Sequence, residues 1–353
     1  MSKMLEEIRQ QPQALDRTLR GGMRSIEKLR ATFGQNPPQF IVLVARGTSD
    51  NAAQFGRYLL EITTGIPVSL AAPSIFTVYD AKVNLRGALV VGISQSGEST
   101  DTNFVLERAR ECGAMTVGIT NEAGSAMARI ADRVILVRAG KERSVAATKT
   151  YTGQLMALYL LAWALGAAIP LDDLRRVPEL ASTALSLEPE IAARSERYRF
   201  MGKTIVVGRG LNYSNAFEFA LKMMETCYVV AERFSSADLM HGPIAMVEAS
   251  FPVFLFTPAG ATWPSLRGML QKLDSLGAES LIITDRSNVE AAARGRRAVV
   301  VPAKLAHSRR PPEDLFTPIP YIIPAQLFAA CLAEAKGLNP DQPRTLQKVT
   351  RTM

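Results

Sequence analysis

Short apolar runs recur along this chain, separated by longer stretches whose apolar positions repeat every three or four residues. The runs come in two sets. Arg46-Gly47 at the end of one run stands 163 positions before Arg209-Gly210 at the end of another, and 88–97 maps onto 251–260 at the same offset. Segment 113–121 maps onto 277–285 at offset 164, and 132–139 corresponds to 296–303. Four strand-like segments recurring in order at one spacing indicate a duplication. Each run is rich in β-branched residues and lacks polar alternation, as in strands covered on both faces of a parallel sheet. Helical patterns lie between them, such as Thr102 to Cys112, which ends at Gly113 where a left-handed cap is favoured. The pattern predicts an α/β chain of two tandem doubly wound parallel-sheet domains, 35–170 and 199–335. A helical segment (1–34) precedes them, a polar helical linker (171–198) joins them, and a tail (336–353) follows.

One predicted helix, from 216 to about 230, is apolar on most sides but carries a charged stripe. At roughly 100° per residue, Glu218, Lys222 and Glu225 share one face. Phe217, Leu221, Met224 and Tyr228 form a second face, and Ala220, Met223 and Cys227 a third. Ionisable groups on a buried helix are costly unless they pair or act on a ligand. The spacing allows an internal Glu-Lys-Glu ion cluster as well as a catalytic set.

The first repeat has hydroxyl- and glycine-rich loops at the carboxyl ends of its strands. Gly47-Thr48-Ser49 follows the first run, and Ser94-Gln95-Ser96-Gly97-Glu98-Ser99-Thr100-Asp101-Thr102 leads from the second into a helix. Ligands of open α/β sheets lie at this edge, and helix N-termini with free amides suit phosphate. Plain N-capping needs one such residue, whereas this loop offers five hydroxyls in nine positions. A third loop, Ser144 to Thr150, has small residues that would let backbone amides approach a sugar. Only two histidines exist. His241 lies in a Gly-Pro turn soon after the charged helix, and His307 sits among arginines and prolines in a surface-like loop.

Composition narrows the class. With 47% hydrophobic and 21% charged residues, the chain is that of an ordinary soluble globular protein. Its +8 charge includes Arg294, Arg296, Arg297, Arg309 and Arg310. No nucleic-acid recognition motif accompanies that charge, so no nucleic-acid partner is expected, and a basic surface that attracts phosphorylated metabolites is the simpler account. Cys112, Cys227 and Cys331 have no metal-ligand spacing and suggest reduced, buried thiols in a cytoplasmic protein. The longest apolar run, 155–169, is too short to span a bilayer and suggests a buried helix, with a subunit interface as one use. No metal and no cofactor are expected, and no membrane partner.

At these residues the chain resembles the sugar isomerase (SIS) superfamily. The resemblance is to the isomerase half of glucosamine-6-phosphate synthase and to stand-alone glucosamine-6-phosphate deaminase-like proteins. It rests on the Gly-Thr-Ser loop, Ser-Gln-Ser-Gly-Glu, Val-Ala-Ala-Thr-Lys, Gly-Arg-Gly, Ala-Leu-Lys-Met-Met-Glu, His-Gly-Pro and the Asp-Gln-Pro-Arg tail, over essentially the whole chain. It implies flavodoxin-like SIS domains and a phosphorylated-sugar substrate. Glu225 then corresponds to the base that moves a proton between C1 and C2, and His241 to the ring-opening group, which in the family enters from the neighbouring subunit. Lys222 corresponds to a helix lysine near the substrate, and Lys348 to a tail lysine that engages the open-chain carbonyl. Gly47, Thr48, Ser49, Ser94, Gln95, Ser96 and Ser99, with Val145, Ala147 and Gln347, correspond to the substrate-binding set. A homodimer with a shared site is implied.

Four positions depart from the synthase pattern: Ser99 stands for threonine, Ala147 for serine, Met224 for lysine and Gln347 for alanine. Residue 2 is Ser2, where the family's glutaminase segment has its cysteine nucleophile. The expectation is therefore an aminosugar-phosphate deaminase/isomerase that releases ammonia from glucosamine 6-phosphate. The alternatives are an isomerase or deglycase of another sugar phosphate, a synthase-type isomerase without glutaminase among them, or a non-catalytic sugar-phosphate regulator. Against the regulator, no helix-turn-helix fits in residues 1–34, and Glu225, His241 and Lys348 are all present.

Overall fold

A computed structural model describes residues 2–306 and 312–346. Gln347, Lys348, His307, Arg309 and Arg310 lie outside the described residues. The chain divides into two compact units. Among the described residues, the first-sheet unit comprises Gln10–Arg143, Ala147–Pro178 and Thr345–Leu346. The second-sheet unit comprises Ser2–Arg9, Ser144–Ala146 and the described part of Glu179–Arg344.

In chain order, α1 (Lys3–Arg9) and α2 (Gln11–Gln35) precede β1 (Phe40–Val44), α3 (Thr48–Thr64), β2 (Val68–Leu70) and α4 (Ser74–Thr77). Then come β3 (Ala88–Ser94), α5 (Thr100–Glu111), β4 (Met115–Thr120), α6 (Ala126–Ile130), β5 (Arg133–Leu136) and α7 (Lys149–Ala164). The five strands pair in parallel in the order β2-β1-β3-β4-β5. β3 is buried at every position, which is why its sequence shows no alternation.

Helices α8 (Leu171–Leu185) and α9 (Glu188–Glu196) lead to β6 (Lys203–Gly208), α10 (Tyr213–Cys227), β7 (Val230–Ser235) and α11 (Ser236–Met240). β8 (Pro252–Phe256), α12 (Trp263–Ser275), β9 (Glu279–Asp285), α13 (Val289–Ala292), β10 (Ala298–Val301) and α14 (Pro318–Ala335) complete the chain. The second sheet has the order β10-β9-β8-β6-β7, again all parallel. Read outward from its own first strand, this is the order of the first sheet. Both are doubly wound, and the duplication read from the repeat is a duplication of topology.

Two expectations need correction. Helix α7 is buried at every position but half-buried Trp163, with Leu155, Met156, Leu158, Tyr159, Leu160 and Leu161 all fully inaccessible. It leaves no apolar face for a second subunit, because α2 and α3 already cover it. Cys112 is exposed at the end of α5, whereas Cys227 is buried and Cys331 half-buried. All three thiols are free. Helix α14 is long and apolar enough to cross a membrane, but 89% of it is buried, which makes it a core helix of the second-sheet unit.

Candidate active site

In the first sheet, β1 and β3 are neighbours although β2 lies between them in sequence, so the helices that follow them leave in opposite directions. A crevice opens at the carboxyl ends of such a pair, the usual ligand position in this fold. The loops there carry Gly47, Thr48 and Ser49 after β1, and Gln95 to Ser99 after β3.

Hydrogen bonding shows which hydroxyls retain a proton to donate. Ser94 Oγ accepts the Gly97 amide at 3.1 Å, and Ser96 Oγ accepts the Glu98 amide at 3.2 Å. Ser49 Oγ accepts Nε2 of buried Gln154 at 2.9 Å. A hydroxyl whose oxygen accepts a protein donor still has its own O–H to offer. Ser94, Ser96 and Ser49 therefore have an O–H available for an anion. Gly97 makes the turn possible. It sits at φ +65°, and a Cβ there would lie 2.2 Å from Ser125 Oγ.

Ser99 differs. Its hydroxyl donates to Asp101 Oδ1 at 2.8 Å and lies 3.0 Å from Thr102 Oγ1. Asp101, in the first turn of α5, also accepts the Thr102 amide on Oδ1 at 2.9 Å and Arg46 Nε on Oδ2 at 2.5 Å. Burial works against a charge on Asp101. Arg46, Ser99 and Thr102 outweigh it and hold the carboxyl below the usual aspartate range. Neither Arg46 nor Asp101 was among the expected site residues, because 55 positions separate the pair and no local pattern links them.

The third loop is already engaged. Buried Glu142 accepts the amides of Thr148 at 2.7 Å and Lys149 at 2.9 Å, and the Thr150 hydroxyl as well. The N-terminus of α7 is thus occupied by the chain's own carboxylate. Ala147 is half-buried just before it. Val145 belongs to the second-sheet unit, where its amide donates to the Asp341 carbonyl at 3.3 Å.

In the second-sheet unit, α10 carries the charged stripe. Lys222 Nζ lies 2.5 Å from Glu225 Oε2 and 3.5 Å from Glu218 Oε1. Glu218 and Lys222 are fully buried, while the Glu225 side chain keeps 23% of its exposure. The helix buries its charged stripe together with the apolar face of Phe219, Ala220, Met223 and Cys227. The charges face inward, Phe217 and Leu221 are half-buried, and Met224 is exposed. The helix ends three residues earlier than the periodicity suggests, at Tyr228, which adopts φ +53° and ψ +36°. A bulky residue rarely occupies this region. Tyr228 is held there by Arg344, whose amide donates to the phenol oxygen at 2.8 Å and whose guanidinium stacks 4.1 Å from the ring. The tail is therefore anchored three residues beyond Glu225.

His241 caps α11, its amide donating to the carbonyls of Ala237 and Asp238. Its side chain is exposed, and among the described residues it makes no hydrogen bond to the stripe. Lys348 and Gln347 lie outside the described residues.

Comparison with known proteins fits this arrangement. The model of the SIS domain matches residues 38–164 and again 201–330, one match on each sheet. This chain belongs to the SIS-domain family. Among curated relatives of this SIS protein, glutamine--fructose-6-phosphate aminotransferase [isomerizing] of Aquifex aeolicus is 33% identical over 98% of the chain. The match covers 57% of that relative, so the chain spans less than two thirds of its length. Among solved structures, the C-terminal domain of glucosamine-fructose-6-phosphate aminotransferase from Francisella tularensis superposes with a TM-score of 0.86 at 30% identity, covering 97% of this chain and 98% of that one. Glucosamine-6-phosphate deaminase from Thermotoga maritima shares the fold, with a TM-score of 0.75 at 21% identity over 99% of this chain and 100% of that one.

Proposed function

We propose that the protein is an aldose-ketose isomerase of aminosugar phosphates, and specifically that it converts glucosamine 6-phosphate and water to fructose 6-phosphate and ammonia. The observation that carries this reading is the Glu218–Lys222–Glu225 set. Two members are sealed in the core, and the third reaches the surface with its carboxylate aimed by the lysine. Lys222 engages Oε2 of Glu225, which leaves Oε1 for a substrate proton. A fixed carboxylate of this kind suits general-base work. His241 moves the proton between O1 and O5 to open the ring. Glu225 takes the C2 proton and returns it to C1, which yields the imine of fructose 6-phosphate, and water hydrolyses that imine. Lys348 stabilises the developing negative oxygen as a cation or engages the carbonyl as a Schiff base. The phosphate goes to the donors of Gly47, Thr48, Ser49, Ser94, Gln95 and Ser96, and to Ser99 through its backbone amide, since its hydroxyl is given to Asp101. In this reading the enzyme is cytoplasmic and acts as a homodimer, with half-buried Phe217 and Leu221 and exposed Met224 as an apolar surface suited to burial.

The sequence identity favours a second reading. The 33% identity to an isomerizing aminotransferase supports the same proton transfer run toward glucosamine 6-phosphate, with ammonia as co-substrate. Pure protein incubated with glucosamine 6-phosphate, and separately with fructose 6-phosphate and ammonium, separates the two. Ammonia and fructose 6-phosphate formed together support the first. Glucosamine 6-phosphate formed only in the second mixture supports the other. Inactivity in both, with turnover of a different hexose 6-phosphate, removes the aminosugar.

A further inference from the structure

None of the residues assigned to the phosphate cradle carries a positive charge, and the two loops contribute the acids Asp50, Glu98 and Asp101. Hydroxyls and amides orient a phosphate but do not balance two negative charges. A guanidinium does both. Arg46 is the cation placed to do this. It directly precedes Gly47, at the carboxyl end of β1, and its side chain is 52% exposed. Buried Asp101 fixes it through Nε alone. A guanidinium has five N–H donors, so one is spent and the Nη donors remain. Among the described residues they make no further hydrogen bond, although the nearby Asp50 carboxylate also feels the Arg46 charge. The Asp101 carboxylate holds Ser99 on its other oxygen, so the guanidinium and Ser99 are tied to one rigid group.

We propose that Arg46 is a substrate-binding residue that recognises the second negative charge of the phosphate, with Asp101 as its positioning residue. The role rests on the reading that this loop pair binds a phosphorylated sugar. A phosphate ester carries nearly two charges at neutral pH, and a sulfate ester of the same shape carries one. Arg46 therefore distinguishes phosphate from sulfate, whereas the hydroxyls serve both.

The test is calorimetric binding of glucose 6-phosphate and glucose 6-sulfate to the full chain at fixed pH and salt. Arg46→Met is expected to weaken the phosphate about tenfold and the sulfate much less, while Arg46→Lys retains part of the preference. Asp101→Asn should lose a similar share of the preference. Ser96→Ala should weaken both esters alike. Thermal melts of each variant report its folding, and Arg46→Lys serves if Arg46→Met melts early. Equal losses for the two esters in Arg46→Met, or no loss, would overturn the role of Arg46 while leaving the cradle intact. If Ser96→Ala also binds both esters normally, the phosphate reading of the loop pair fails with it.

Discussion

The duplicated sheets present the same edge twice and use it differently. At the carboxyl ends of β1 and β3 stand hydroxyls with protons to donate and an acid, Asp101, neutralised by Arg46. At the carboxyl ends of β6 and β8, the corresponding loop is Thr257-Pro258-Ala259-Gly260. Glu313 packs against Gly260, and neighbouring Asp314 is buried with Oδ2 unpartnered among the described residues. Burial, and the nearby charge of Glu313, lift the Asp314 carboxyl from 3.8 to about 6. The first edge offers hydroxyl protons to an anion, whereas the second, with Arg209 at the place of Arg46, sets a buried carboxyl there instead. In the second-sheet unit the charged stripe lies on α10, where Glu225 is roughly 20 Å of helix beyond Gly210 at 1.5 Å per residue. One topology therefore carries two different sets of side chains, and the proposed reading sends the phosphate to the edge that holds Arg46 and the free hydroxyl protons.

The largest effect should come from the two loop glycines. Gly97→Ala forces a side chain onto φ +65° and into Ser125, and should weaken sugar-phosphate binding at least about a hundredfold. Gly260→Ala is strained too, at φ +103° against Glu313, and should lower stability with little change in substrate affinity. Calorimetry and thermal melts on both variants measure the contrast. Equal losses of affinity would erase it.

The two aspartates should respond oppositely to pH. Asp101 has its pKa lowered on folding, so its contribution to stability is present above the ordinary aspartate range and is lost as pH falls through its folded value. Asp314 has its pKa raised, so its protonated form favours the fold below 3.8, and that stability is lost as pH climbs toward about 6. Asp314→Asn should remove that slope and add up to about 3 kcal/mol near neutrality. Asp101→Asn should cost about 1–2 kcal/mol by weakening a buried charge-assisted bond. Denaturant titrations between pH 2 and pH 7 would read both; a flat profile between pH 4 and pH 7 in the parent protein would contradict the Asp314 part.

A smaller effect concerns Gln154. Its amide points the Ser49 proton outward, so Gln154→Met and Ser49→Ala should each weaken sugar-phosphate binding about fivefold, and the double variant no further. Additive losses would show that the two side chains act separately.

Much of this was legible in sequence, for identifiable reasons. Strand order follows from a repeat whose runs are β-branched, and the Glu218–Lys222–Glu225 stripe from helical spacing alone. The direction the stripe faces was not legible, because the helix has two apolar faces, of which that of Ala220, Met223 and Cys227 is buried and that of Phe217, Leu221 and Met224 is only partly so. Pairings between distant positions were hidden as well. Arg46 meets Asp101 across two loops, and Arg344 holds Tyr228 from the tail. Helix α7 misled for a related reason. A helix apolar all round is buried somewhere, but its pattern does not say whether by its own chain or by another.

The most direct test of the central claim is Glu225→Gln, assayed with glucosamine 6-phosphate for ammonia and fructose 6-phosphate while binding of fructose 6-phosphate is followed by calorimetry. Turnover should fall at least about a thousandfold with affinity kept within a few-fold, since the amide retains the shape but cannot take the C2 proton. Ammonia release near the parent rate from a folded variant would contradict the assignment of Glu225 as the base.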